Sequence, residues 1–222
     1  MPPAPNRGWA LQPPPRLPPC IFLDVDGVLH SVQQQGELHF APACMANLRG
    51  IVEMTGAVIV LSSMWQQTAS GRAEVNEALR RWGIPAFVAV TADANPGTGD
   101  ERRAREILSW IRAHPDACAT GWVILDDLDL MAVAPPPAFT PILPPGHMVR
   151  VNPSTGLTQR DAMYAIEMLG GRNANAPKLP PPQANAAEAF VAVPADGAKA
   201  GSKTENTGHD AWRNDARYGG KR

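Results

Sequence analysis

The chain has 222 residues, and its 20 Lys+Arg against 21 Asp+Glu give a formal net charge of −1. That length suits one α/β domain with tails rather than two domains, and the near-neutral charge excludes a global field that would recruit nucleic acid or an anionic membrane, leaving only a local basic surface for that purpose. Cys20, Cys44 and Cys118 are odd in number, widely spaced and in no Cys-x-x-Cys pair, which argues against a disulfide framework or structural zinc site and fits a reducing cytoplasm.

The opening segment, 1–19, is rich in proline and poor in large apolar residues, and reads as an extended, mobile leader. Neither this segment nor any later one holds an apolar run that would serve as a secretory core or a membrane span. Cys20–Leu23 is the first strand and leads directly into Asp24-Val25-Asp26-Gly27-Val28. Two carboxylates at the end of a buried strand are hard to justify by packing. An Asp serves as a covalent nucleophile toward phosphorus, and a second Asp two residues on lies within proton-transfer reach of a leaving oxygen. A strand followed by a solvated Asx-type turn is the plainer reading of these residues alone. Leu29–Phe40, with Gln33-Gln34-Gln35-Gly36 between Val32 and Leu38, reads as a small hairpin flap.

Pro42–Met54 has helical period, Ala57–Leu61 is a second strand ended by Ser62-Ser63, and Arg72–Trp82 is a second helix. The serine pair would equally serve as an N-cap. Ala86–Val90 is a third strand, and Glu101–Ala113 a helix carrying Arg102, Arg103 and Arg105. Spacing aligns Arg103 with Ile107 and Ile111, at the end of the apolar stripe, although a solvated charged face is the ordinary reading of such a run. Trp122–Leu125 is a fourth strand ending in Asp126-Asp127, a pair that would also cap a short turn. The proline-rich stretch Ala134–Gly146 is an irregular connector, and Met148–Val151 a fifth strand. The last helix, Thr158–Leu169, has Thr158 as N-cap, Asp161 three residues on and Gly170-Gly171 as its stop. From 172 to 222 large apolar residues become too few to offset chain entropy, so a disordered tail is expected and the folded unit is placed at 20–171.

Strands alternating with helices are the signature of a Rossmann-like three-layer α/β/α sandwich around a parallel five-stranded sheet. In such a sheet the strand carboxyl ends gather on one edge, where ligands bind. Asp24 and Asp26, Ser62 and Ser63, and Asp126 and Asp127 all end strands, while Arg103 lies in the first turn of a helix running antiparallel to them. Carboxylates, a hydroxyl and a cation therefore converge on one edge, which the separate local readings do not explain.

On these residues the sequence resembles the haloacid dehalogenase (HAD) superfamily of hydrolases over about 20–170. Asp24-Val25-Asp26-Gly27-Val28 matches the first motif, Leu61-Ser62 the second, Arg103 the cation of the third and Asp126-Asp127 the acidic fourth. More narrowly, Leu61-Ser62-Ser63-Met64-Trp65, Arg103-Ala104-Arg105-Glu106-Ile107 with Trp110, Ile124-Leu125-Asp126-Asp127 and Asn152-Pro153-Ser154-Thr155-Gly156-Leu157-Thr158 resemble a small subgroup, some of whose members occur in multi-activity RNA-repair proteins. The resemblance implies catalysis by Asp24, Asp26, Ser62 and Arg103: Asp24 attacks phosphorus, Asp26 protonates the leaving group and then activates water, and Ser62 bonds a phosphoryl oxygen. It implies Mg²⁺ held by Asp24, the Asp26 backbone carbonyl and one of Asp126 and Asp127. It also implies an HAD-like core with a minimal cap, because the short stretch between the first two motifs leaves no room for a full cap domain. An open site of that kind suits an accessible phosphomonoester, such as a nucleic-acid end or a nucleotide.

Two features depart from the family pattern. Arg103 stands where much of the superfamily has Lys, with Arg102 as the competing candidate, and Gln66 stands where the subgroup more often has a basic residue. A non-catalytic binding or scaffold protein is therefore the alternative to a phosphatase. A phospho-acceptor signalling domain is disfavoured by motif order, since such domains place the accepting Asp on a later strand. The retained Asp26 favours phosphate transfer, because dehalogenase-type relatives lack that second carboxylate.

Overall fold

Each apolar run becomes one strand of a single sheet. The structure is a computed structural model and describes residues 17–33, 39–91, 99–133, 141–176 and 178–186. Its elements in chain order are β1 (Cys20–Leu23), α1 (Pro42–Thr55), β2 (Val58–Leu61), a 3₁₀ turn (Met64–Gln67), α2 (Ala69–Arg81) and β3 (Ala89–Val90). There follow α3 (Gly99–Ala113), the single turn α4 (Pro115–Cys118), β4 (Trp122–Asp126), β5 (Met148–Arg150) and α5 (Gln159–Met168). The sheet has five parallel strands in the order β3-β2-β1-β4-β5.

Period-two alternation distributes the strand residues between two cores. Ile21, Leu23, Ile59, Leu61, Val123 and Leu125 pack toward α1, α2 and α5. Cys20, Phe22, Val60, Trp122 and Ile124 pack toward α3, where Ala104, Ile107 and Trp110 meet them. The result is the expected three-layer α/β/α sandwich, with β1 buried on both faces. Among the described residues no helix is long and apolar enough to cross a membrane.

Several elements differ from the expected boundaries for identifiable reasons. The second helix starts at Ala69 rather than Arg72 because the Thr68 hydroxyl caps it, accepting from Gly71 N at 3.0 Å. The third strand is only two residues long rather than Ala86–Val90: Pro85 has no N–H to give, and Phe87 N donates to the Asn76 side chain instead of the ladder. The fourth strand runs one residue further, taking in Asp126. Thr158 and Asp161 do form the reciprocal capping box of α5.

The largest difference lies beyond α5. Ordered contacts continue past the expected limit at 171: Asn173 N donates to Met54 O, Gln183 N donates to Arg81 O, and Ala186 is fully buried. Arg49 ties this stretch to the helices, donating to Trp82 O at 2.8 Å and to Pro180 O at 2.7 Å. Backbone carbonyls at two helix ends anchor the segment, together with Leu179 and Ala186 packed against the core, so composition gave little sign of it. The leader at 1–16, the turn of the expected flap at 34–38, the connector at 134–140 and the chain from 187 onward lie outside the described residues.

Candidate active site

The register of the sheet places the functional side chains on one level. Leu23 pairs with Leu61 on one side and Leu125 on the other, so Asp24, Ser62 and Asp126 each sit one residue past a matched row. Backbone bonds carry the match beyond the strands: Asp24 N donates to Leu125 O at 3.0 Å and Ser62 N to Leu23 O at 2.8 Å. Thr91 joins the level, its N–H bonded to Leu61 O. Strand order reverses between β1 and β4, which opens a crevice at their carboxyl ends. Asp24 and Asp126 flank that crevice.

Asp24 and Asp126 are each 1 % exposed and Arg103 is 4 % exposed, so the centre of the site is a buried charge cluster. One guanidinium nitrogen, Arg103 Nη1, lies 3.2 Å from Asp24 Oδ2 and 2.8 Å from Asp126 Oδ2, and it also donates to Ser62 O. Asp24 Oδ1 accepts from Val25 N, and Asp126 Oδ1 from Leu128 N at 2.9 Å. The turn-capping reading of Asp126 thus describes one of its oxygens while the other faces the cluster. Asp127 completes the group: one carboxylate oxygen from each of Asp24, Asp126 and Asp127 lies within 4.8 Å of the other two.

Gly27 allows this closeness. Its φ of 75° is left-handed, and a Cβ there would meet the Asp127 carboxylate at 2.9 Å. Any other residue would be strained in backbone and would displace Asp127.

Three carboxylates against one guanidinium leave the buried cluster with excess negative charge. Burial, and then the neighbouring Asp24 charge, push the Asp126 carboxyl well above the ordinary carboxylate range, with Arg103 pulling the other way and Asp127 adding to the rise. For Arg103 burial disfavours the charge, but Asp24 and Asp126 more than offset it and raise the guanidinium's pKa. The donor set is all oxygen and suits a hard divalent cation such as Mg²⁺; a softer metal would call for Cys or His ligands. The residues present fit the metal that the sequence motifs imply.

Arg102 takes another course. It pairs with Glu106 at 3.7 Å and reaches Met64 Sδ, while Arg105 pairs with Glu101 on the outer face. The serine pair divides similarly: Ser63 caps the 3₁₀ turn, and Ser62 is buried at the site with Thr91 Oγ1 at 3.5 Å. Gln66 is also buried, its Oε1 accepting from Thr91 Oγ1 at 3.1 Å and its backbone carbonyl from Arg72. Position 66 is therefore occupied by a buried, hydrogen-bonded amide.

Asp26 stands apart from this cluster. Its side chain is 30 % exposed. Trp65 Nε1 donates to Asp26 Oδ2 at 3.1 Å, and His30 Nε2 lies 3.1 Å from Asp26 Oδ1. The sequence reading singled out neither contact: Trp65 entered it only as part of a motif, and His30 not at all. The i to i+4 spacing of Asp26 and His30 was visible, but outside a helix it carries no meaning, and Trp65 is far away in the chain.

The family model describing the HAD domain in Swiss Army Knife RNA repair proteins matches residues 20–162. No curated protein and no solved structure matches the chain.

Proposed function

The chain belongs to the family of HAD domains found in Swiss Army Knife RNA repair proteins, and on that premise we propose that this HAD-type hydrolase is a Mg²⁺-dependent phosphohydrolase working through an aspartyl-phosphate on Asp24. The observation that carries the proposal is the buried cluster of Asp24, Asp126 and Asp127 beside Arg103, with a partly exposed second carboxylate, Asp26, two residues from the first. A scaffold would gain nothing from burying three acids around one arginine, since such a cluster costs more desolvation than it returns.

Asp24 attacks phosphorus in line, forming the P–O bond as the bond to the leaving oxygen breaks. Asp26, exposed toward solvent, gives that oxygen its proton and then takes one from the water that releases phosphate from Asp24. Arg103 holds Asp24 in place and offsets charge on the transferring group, and the Ser62 hydroxyl holds a phosphoryl oxygen. Asp24, Asp126 or Asp127, and the Asp26 carbonyl would hold Mg²⁺, which when bound neutralises phosphate charge.

Among the described residues the stretch between β1 and β2 holds one helix, and that between β2 and β3 a 3₁₀ turn and one helix. So few inserted elements support an accessible phosphomonoester as substrate, such as a nucleic-acid end or a nucleotide. Free Cys20, Cys44 and Cys118 support a cytoplasmic setting. Turnover of 4-nitrophenyl phosphate with and without Mg²⁺, for the wild-type chain and Asp24→Asn, tests the reading. Metal-dependent turnover lost in the variant is expected, and an active Asp24→Asn protein would refute it. Kinetics on a 5′- or 3′-phosphorylated oligonucleotide against the matching mononucleotide at two salt concentrations test the substrate class: faster, salt-sensitive turnover of the oligonucleotide is expected.

A further inference from the structure

A carboxylate that must deliver a proton to one oxygen and later collect one from water has to be aimed, yet the terminal torsion of Asp is broad and weakly restrained. Asp26 lies just before the turn that begins at Gly27, with its side chain 30 % exposed, so packing alone does not aim it. Two N–H groups do, one on each oxygen: Trp65 Nε1 on Oδ2 and His30 Nε2 on Oδ1, both at 3.1 Å.

Both donors are themselves immobilised. Trp65 is 2 % exposed and His30 is 4 % exposed. The Trp65 ring meets Phe40 edge-on with centroids 5.4 Å apart and His39 at 5.3 Å, while His30 stacks on His39 at 5.5 Å and meets Phe40 edge-on. A four-ring block thus stands behind the Asp26 carboxylate. An ionised carboxylate only accepts, so the histidine tautomer that bonds it carries the proton on Nε2. That tautomer leaves Nδ1, which is buried without a hydrogen-bond partner among the described residues, as a lone pair rather than an orphaned N–H.

We propose that His30 and Trp65 are positioning residues that fix the orientation of Asp26 for proton transfer, an inference that rests on the phosphohydrolase reading. A carboxylate oxygen has two lone pairs, so accepting from one N–H does not in itself prevent it from carrying a proton. The proton passes from the Asp26 carboxyl to the leaving oxygen as its bond to phosphorus breaks. The carboxylate so formed is held by the same two donors until it takes a proton from water.

The test uses the dependence on leaving group. Proton donation matters for a poor leaving group such as an alkoxide and little for 4-nitrophenolate, and kcat/KM reports the step in which Asp24 is phosphorylated. His30→Phe and Trp65→Phe remove one donor each and keep a ring, and His30→Gln restores an N–H. The first two are expected to lower kcat/KM on an alkyl phosphate by ~10- to 100-fold, a part of what a general acid contributes, and to change it on 4-nitrophenyl phosphate by only a few-fold. His30→Gln is expected to recover most of the loss. Equal losses on both substrates, or no advantage of His30→Gln over His30→Phe, would overturn the proposal. Because Trp65 is buried, melting curves accompany each variant, and the two His30 variants decide the matter if Trp65→Phe does not fold. The indole N–H resonance of Trp65 in ¹⁵N-labelled protein provides an arm independent of turnover: it is expected to shift in Asp26→Asn. A chain without phosphatase activity would refute the phosphohydrolase reading, and with it any catalytic use of the clamp. An indole resonance unmoved by Asp26→Asn would overturn the clamp whatever the activity.

Discussion

The two ends of the same five strands are built for opposite purposes. At the carboxyl edge lie Asp24, Ser62, Thr91, Asp126 and Asp127, buried polar groups whose charges do not balance. The amino edge carries an apolar hollow lined by Pro18, Val52, Ala57, Val58, Ile59, Pro85 and Val88, and its backbone groups are paired by bonds such as Cys20 N to Gly121 O and Val58 N to Pro19 O. The ends of α1 and α2 fall at this edge, and there the segment 172–186 braces Met54, Thr55 and Arg81. Desolvated like charges cost stability, so the reactive edge is a place of stored unfavourable energy and the amino edge is one place where that energy is offset. Changes at the first edge are expected to act mainly on turnover, and changes at the second mainly on melting.

Asp24→Asn gives the largest contrast. It is expected to lower turnover by at least ~10³-fold, as removal of a nucleophile does, while the folded structure persists. Kinetics and a melting curve on one preparation check it. If Asp24→Asn melted many degrees lower with turnover intact, the division between edges would collapse.

Gly27→Ala combines both effects at the reactive edge. Left-handed backbone and a Cβ 2.9 Å from the Asp127 carboxylate are expected to cost ~1–3 kcal/mol and to lower metal-dependent activity by displacing Asp127. Denaturant unfolding and Mg²⁺ titration measure the two parts.

The pH dependence of the chelated protein probes the unbalanced charge. The folded pKa of Asp126 is raised, mainly by burial and by Asp24, so the folded state keeps a proton that the unfolded state has already released. Stability from this group is therefore fully present below the unfolded value of about 4 and falls as pH rises through the raised folded value, by at most ~1.4 kcal/mol per pH unit. Thermal melts between pH 4 and 8 are expected to show that decline, to flatten in Asp126→Asn, and to flatten again when Mg²⁺ is added to the wild-type chain.

The amino edge is tested by trimming. A chain ending at 186 is expected to melt like the full one, whereas a chain ending at 171 loses the bonds to Met54, Arg49 and Arg81 and is expected to lose ~1–2 kcal/mol, about 2–8 °C, with kcat unchanged. Arg49→Ala should reproduce part of that shift. A drop in kcat without a change in melting would place the segment at the wrong end of the molecule.

Much of this was legible in the sequence. The five apolar runs and the helices between them fixed the layer architecture, because strand period and helix period are local properties that each segment carries alone. The acids after β1 and β4 and the serines after β2 followed from the same logic, since parallel strands must end on a common edge. What sequence could not decide were choices between neighbours. Arg102, Arg103 and Arg105 look alike in the chain, and only the packing of α3 turns Arg103 inward to Asp24 and Asp126. Ser62 and Ser63 separate because one is one residue past a matched strand row and the other caps a turn.

Three features belonged wholly to the tertiary structure. Trp65 reaches Asp26 across a loop and a helix, His30 reaches it through a turn with no characteristic spacing, and the segment 172–186 is fastened by helix-end carbonyls that leave no trace in composition. Local order is written in residue type and period. Contacts between groups distant in the chain depend on where the backbone brings them, and so the sequence determined the sheet, the edge and the acids, while the fold alone decided what holds them in position.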